Sequence, residues 1–173
     1  MMLKNEDIAA VFTETYPHLC RFLQSIVGGH HQAQDIAQES FVRLCQAEFG
    51  EISVSEIRFW LFRVARNLAL NEIDKVKTRS KLWRRAAEGF RVRERSVAET
   101  IERLEQQNAV RGLLKQLPEN QRSALLLRER EEMNYREIAL VLGIAESKVK
   151  IDIFRARRRL RDLWNEKQEK SDC

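Results

Sequence analysis

Proline is scarce in this chain, at two residues of 173, and glycine occurs only six times. So few breakers leave long stretches free to coil, and no run of strictly alternating polar and apolar residues is long enough to propose a sheet. The expected fold class is all-α. Cysteine is equally sparse. Cys20, Cys45 and Cys173 are odd in number and lack any CxxC or CxxH spacing, which argues against a disulfide framework and against a metal site shared with His18, His30 or His31. No apolar run approaches the roughly 18 residues that a membrane span needs. The amino terminus, MMLKNEDIAA, has no signal-peptide core, so a cytoplasmic protein without membrane insertion is expected. Nor is there a carboxylate cluster at metal spacing, a nucleophile motif or a phosphate-cradling loop, so no enzyme, catalytic residue or cofactor is expected.

Charge, by contrast, is abundant. Charged residues make up 33% of the chain, and 31 Lys and Arg against 26 Asp and Glu leave a net +5. The excess is small, so its distribution matters more than its sum. Two segments concentrate it. KTRSKLWRRAAEGFRVRER, residues 77–95, holds eight basic residues against two Glu, and five arginines lie between positions 155 and 161.

Helical periodicity divides the chain. Ile8, Val11, Phe12, Leu19, Phe22, Leu23 and Ile26 form one apolar series, with Tyr16-Pro17 a candidate kink and Gly28-Gly29 a stop. A second helix is expected from about Gln32 to Ala47, burying Ile36, Phe41, Val42, Leu44 and Cys45. A third follows the connection EFGEISVS, opening at Ser55 and running to Lys77 with a seam of Phe62, Ala65, Ala69, Ile73 and Val76. These three suffice for a first small domain, and the basic stretch after them, too poor in apolar residues for its own core, reads as a linker. The pattern resumes from Val97 to Leu117. Pro118 then opens a helix reaching about Glu132, and Asn134 with Glu137 forms a candidate capping box for the helix Tyr135 to Leu142.

The last helix carries a puzzle. Val149, Ile153, Ala156 and Leu160 fall within an arc of roughly 60°, a buried seam. Ser147, Ile151, Phe154, Arg155 and Arg158 lie roughly opposite. Two large apolar side chains thus share the outward face with arginine. NYREIALVLGIAESKVKIDIFRARRRL has the layout of a helix-turn-helix whose second helix can enter a major groove; protein docking is the alternative. Ala145 stands where Ser or Thr would cap that helix. Upstream, Asp35, Gln38 and Glu39 mark a polar stripe. Arg63, Arg66 and Asn67 occupy one side of the third helix, extended by Lys75, Lys77 and Arg79, beside Phe59, Trp60 and Phe62, which are more often core than a stacking platform.

In this order, DIAQESFVRL, FWLFRVARNLALNEI and LPENQRSALLLREREEMNYREIALVLGIAESKVKIDIFRARRRL resemble three segments of bacterial RNA polymerase sigma factors of the extracytoplasmic-function (ECF) group, over residues 10–79 and 108–163. The resemblance implies two helical domains: residues 1–79 for core-polymerase binding and −10 recognition and melting, 80–107 a linker, 108–173 for −35 recognition. It implies a promoter-specificity subunit without a catalytic centre. Its partners would be RNA polymerase core (clamp coiled coil and flap), promoter DNA and an anti-sigma factor. By position, Asp35, Gln38 and Glu39 match the clamp-binding helix, with Phe41 and Leu44 as packing residues. Arg63, Arg66, Asn67 and Lys75 match the −10 region. By the same resemblance Ser147, Lys148, Lys150, Ile151, Phe154, Arg155 and Arg158 would face −35 DNA. The connection EFGEISVSEI, residues 48–57, stands where relatives capture a flipped −10 base. Asn71 and Asp74 stand where many relatives carry Asp and, three residues later, Arg. On this reading Arg155 reaches a guanine edge, Ile151 and Phe154 meet thymine methyls, and Lys148, Lys150, Arg157, Arg158 and Arg159 neutralise phosphates. The runner-up is an autonomous helix-turn-helix repressor, which would leave the first domain unexplained.

Overall fold

In the computed structural model the backbone is described for residues 5–84 and 109–171, and side chains for 8–78 and 109–169. α1 (Asn5–Val27) runs unbroken through Pro17. It buries Val11, Leu19, Phe22, Leu23 and Ile26, while Phe12 is exposed. Gly28 ends it with φ +86°, a conformation that costs glycine no Cβ clash, and its N–H returns to Gln24 O at 2.9 Å.

α2 (His30–Gln46) buries Ala33, Ile36, Ala37, Ser40, Phe41 and Leu44. Val42 and Cys45 were expected in this core and are exposed. The reason is phase: at about 100° per residue Val42 falls among Asp35, Gln38 and Glu39, on the face away from Ile36 and Leu44. α3 (Val54–Arg84) starts one residue before the expected Ser55. The Ser53 backbone N–H and hydroxyl both donate to Glu56 Oε2, and Glu56 N–H donates back to Ser53 Oγ at 3.2 Å, a reciprocal cap. α3 buries Ile57, Leu61, Phe62, Ala65 and Ala69, but Ile73 is only half-buried and Val76 exposed, because the helix has by then run past its neighbours. It also continues into the expected linker. The remaining linker residues, 85–107, and most of the helix expected from Val97 lie outside the described residues. α1, α2 and α3 pack on one another in the first half, with Phe22 against Phe62 at 5.3 Å between ring centroids.

The second half begins with α4, described over 109–115, followed by α5 (Glu119–Glu129), α6 (Tyr135–Leu142) and α7 (Glu146–Ser171). The capping box of α6 is present: Asn134 Oδ1 accepts from Glu137 N–H, and Glu137 Oε2 accepts from Asn134 N–H. Gly143 turns left-handed at φ +67° and lets α7 fold back over α5 and α6. Leu125, Leu126, Leu127, Ile138, Val141, Val149, Ile153 and Ala156 fill the space between them, each large side chain contributing about 1.5–3 kcal/mol by leaving water.

The two halves also touch. α3 packs against α6 and α1 against α5. Two polar clusters cross this boundary: Arg66 with Glu119 and Asn120, and Glu131 with His18 and Arg58. No helix among the described residues is long and apolar enough to cross a membrane.

Candidate nucleic-acid interface

α7 presents two unlike faces. Val149, Ile153 and Ala156 are buried and Leu160 is half-buried, as the wheel requires. Opposite them Phe154 is 67% and Ile151 46% exposed, flanked by exposed Ser147, Arg155 and Arg158. The helix opens without a side-chain cap: Ala145 offers only its carbonyl, which accepts from Lys148 and Val149 N–H at 3.0 and 3.1 Å. Glu146 in the first turn compensates through the helix dipole.

The lysines at the start of α7 are already engaged. Lys150 Nζ lies 3.0 Å from Glu146 Oε1 and 5.5 Å from the centroid of the Tyr135 ring. Lys148 Nζ donates to Asp152 Oδ1 at 2.6 Å, and Asp152 is only 1% exposed. A surface ion pair like that of Lys150 is easily exchanged for a phosphate, whereas Lys148 is the counter-charge of a buried carboxylate. Arg157 pairs with Glu129 of α5, which raises its already high pKa.

On α2, Asp35, Gln38, Glu39 and Val42 form one exposed stripe, with Glu39 2.8 Å from Arg43. Val42, 48% exposed, gives this stripe an apolar element. Tyr16 of α1 packs beside it, stacked on Phe12 at 4.7 Å and within 6.1 Å of Phe41. Burial and a hydrogen bond with Cys20 push the Tyr16 hydroxyl pKa up, against a hydrogen bond with Gln38 that lowers it.

On α3 the expected basic face separates. Arg63 and Asn67 are exposed. Lys75 is exposed, donates to Glu72 Oε1 at 2.7 Å, and lines an open hollow with Arg43, Leu68, Asn71 and Asp74. Arg66 departs from them. It is 6% exposed, and its guanidinium donates to both Glu119 carboxylate oxygens, with Nε to Oε1 at 2.9 Å, and to Asn120 Oδ1 at 2.6 Å. Its phase explains this: Arg66 lies about 40° from Phe62, inside the apolar seam, whereas Arg63 and Asn67 lie roughly 100° and 140° away. Arg58 falls in the same seam, and its Nη2 reaches Glu131 Oε2 at 3.0 Å. The wheel that identified the seam carried this signal. In the 48–57 connection, Phe49 meets Trp60 edge-on at 5.4 Å, so the Trp60 ring packs within the protein.

Comparison with known proteins decides the family. Residues 11–79 match the Sigma-70 region 2 profile and residues 107–160 the Sigma-70, region 4 profile. The ECF RNA polymerase sigma factor SigM of Bacillus subtilis is 32% identical over 145 residues, covering 84% of this chain and 87% of SigM. The chain belongs to the ECF RNA polymerase sigma factors. The RNA polymerase sigma-H factor of Pseudomonas aeruginosa is 34% identical, over 73% of this chain and 69% of that protein. The fold agrees with solved structures. RpoE of Bartonella quintana, in complex with the anti-sigma factor NepR, superposes with a TM-score of 0.69 at 22% identity over 92% of this chain and 98% of that one. CnrH in complex with the cytosolic domain of CnrY gives 0.67 at 23%, over 94% and 90%. As an ECF sigma factor this protein is a transcription initiation factor that binds RNA polymerase and directs it to promoter DNA. The repressor reading is not favoured, since the first half has its own family match.

Proposed function

We propose that the promoter-directing activity is divided along the chain as follows. In residues 1–79 the exposed stripe of Asp35, Gln38, Glu39 and Val42 docks on the polymerase clamp, and Arg63, Asn67 and Lys75, with Arg66, hold the unpaired −10 strand. Residues 80–107 link this unit to 108–173, where α7 enters the −35 major groove. Ile151 and Phe154 meet thymine methyls, Arg155 reads a guanine edge, and Lys150, Arg158 and their neighbours contact phosphates. The observation that carries this reading is the solvent-facing pair Ile151 and Phe154 among arginines. Water rewards neither, whereas a groove lined by methyls and phosphates suits both.

The protein supplies specificity and no catalytic centre, acts in the cytoplasm beside the polymerase, and is restrained by an anti-sigma factor. The last point is supported by the fold it shares with RpoE, a sigma factor solved in complex with the anti-sigma factor NepR. The test is transcription from genomic fragments by purified core polymerase with and without the protein, with start sites sequenced. New start sites sharing a −35 and a −10 motif are expected; promoter-independent initiation, or none, refutes the reading.

A further inference from the structure

We propose that Tyr135 is a positioning residue for DNA binding: its ring is a fixed rest that holds the Lys150 ammonium where a backbone phosphate of the −35 duplex arrives. The inference rests on the assignment of α7 to the −35 groove. Lys150 lies about 40° from Phe154 on the α7 wheel, at the edge of the outward face. Its Nζ reaches across to α6, 5.5 Å from the centroid of the Tyr135 ring. An unsupported lysine at this edge would sample many rotamers on its flexible stem, most of them away from any one phosphate.

Tyr135 is held still. It is the first residue of α6, directly after Asn134 of the capping box, so its backbone is fixed by the helix start. Its ring is half-buried and packs against the apolar core. From α5 the Arg128 guanidinium lies 5.1 Å from the same centroid. Arg128 Nη1 also donates to the Met133 carbonyl at 2.9 Å, in the turn that leads into α6. Arg128 thus braces the ring against the turn.

Lys150 has two unlike partners. Glu146 Oε1, 3.0 Å away, belongs to a side chain 47% exposed and meets a lysine side chain 55% exposed. So wet an ion pair is exchanged at little cost when a phosphate approaches. The ring contact is different in kind, because a π-face attracts the ammonium within about 6 Å without consuming an N–H that a phosphate would accept. The ammonium can therefore trade carboxylate for phosphate while resting on the ring, and Tyr135 sets its place in the free and the bound protein alike. Arg157, another cation in the field of Tyr135, is already paired with Glu129 of α5 and does not compete. Such pre-organisation strengthens a phosphate contact and so raises affinity for all sequences, with no effect on the choice of base pair.

The experiment is a double-mutant cycle read on the holoenzyme. Core polymerase carrying wild-type protein, Tyr135→Leu, Tyr135→Phe, Lys150→Ala or the Tyr135→Leu, Lys150→Ala pair is titrated against a mapped promoter duplex with an intact or a scrambled −35 element. Tyr135→Leu is expected to weaken binding about two- to fivefold, the ordinary strength of an exposed cation–π contact, and by the same factor on both duplexes. Tyr135→Phe rescues the loss, since it restores the ring. In the Lys150→Ala background Tyr135→Leu has no further effect. A ring that only stabilised the fold would weaken binding equally with and without Lys150, so additive losses overturn the proposal. A loss in Tyr135→Phe as large as in Tyr135→Leu also overturns it, by assigning the contact to the hydroxyl. If circular dichroism finds Tyr135→Leu unfolded, Tyr135→Met, which fills the space without a π-face, takes its place in the cycle. Wild-type affinity in Lys150→Ala would sink the −35 assignment of Lys150 and this inference with it, whereas a loss there without coupling to Tyr135 overturns this inference alone.

Discussion

Lys148 Nζ sits 2.6 Å from Asp152 Oδ1, one helical turn away, and the other carboxylate oxygen of Asp152 has no hydrogen-bond partner among the described residues. The lysine therefore holds a buried charge before it meets any DNA. Lys148→Ala is expected to destabilise the second half by about 1–3 kcal/mol, the usual cost of stranding a buried polar group. Adding Asp152→Asn should recover most of the loss. Urea unfolding of the three proteins checks this; an unshifted midpoint for Lys148→Ala would show that the pair has no structural weight.

Ala145 gives α7 no side-chain acceptor at its first turn. Ala145→Ser is expected to stabilise the protein by about 1 kcal/mol through a hydroxyl accepting an orphan N–H. Differential scanning calorimetry would register a higher melting temperature. No gain would mean that the Glu146 carboxylate already satisfies that end of the helix.

Phe154→Ala removes an aromatic ring that touches little of the protein. Its melting should stay within about 0.5 kcal/mol of wild type, as for an ordinary surface substitution, while preference for the mapped −35 element relaxes. Arg155→Ala is expected to cost about 1–3 kcal/mol of discrimination at a single base pair. Transcription from promoters with intact and scrambled −35 elements, read beside thermal stability, separates the two effects; full selectivity in both variants would turn this face away from DNA.

On α2, Asp35→Lys with Glu39→Lys should abolish core-polymerase binding while leaving the fold intact, because both carboxylates are solvated and the Glu39–Arg43 pair is worth only about 0.3–0.5 kcal/mol. Val42→Asp should weaken the same binding without lowering stability. Fluorescence titration against core polymerase gives the affinities. Wild-type affinity in the Lys variant would reassign the stripe to solvent.

Much of this architecture was legible from periodicity. The seam of Val149, Ile153 and Ala156, the Asn134–Glu137 box and the stop at Gly28 are local features, and local rules located them. What escaped was phase and long-range pairing. Val42 was placed inside because it is apolar, although its angle on α2 set it beside Asp35 and Glu39. Arg66 was grouped with Arg63 because both are basic, although only Arg66 shares the arc of Phe62 and Ala69. Its partner Glu119 lies 53 positions away, and no helical rule joins residues at that distance. The assignments to polymerase and DNA came from the order of the three segments and not from any one helix.

The exposed apolar pair on α7 also bears on how the protein behaves in a test tube. Phe154 and Ile151 would favour self-association, and the surrounding Arg155, Arg157, Arg158, Arg159 and Arg161 act as gatekeepers, since two such helices repel each other before their rings can meet. Added salt weakens that repulsion over a screening length of about 10 Å at 0.1 M while leaving the apolar attraction in place. Solubility should therefore fall as ionic strength rises, and short duplex DNA, by covering the same helix, should act as a solubilising agent.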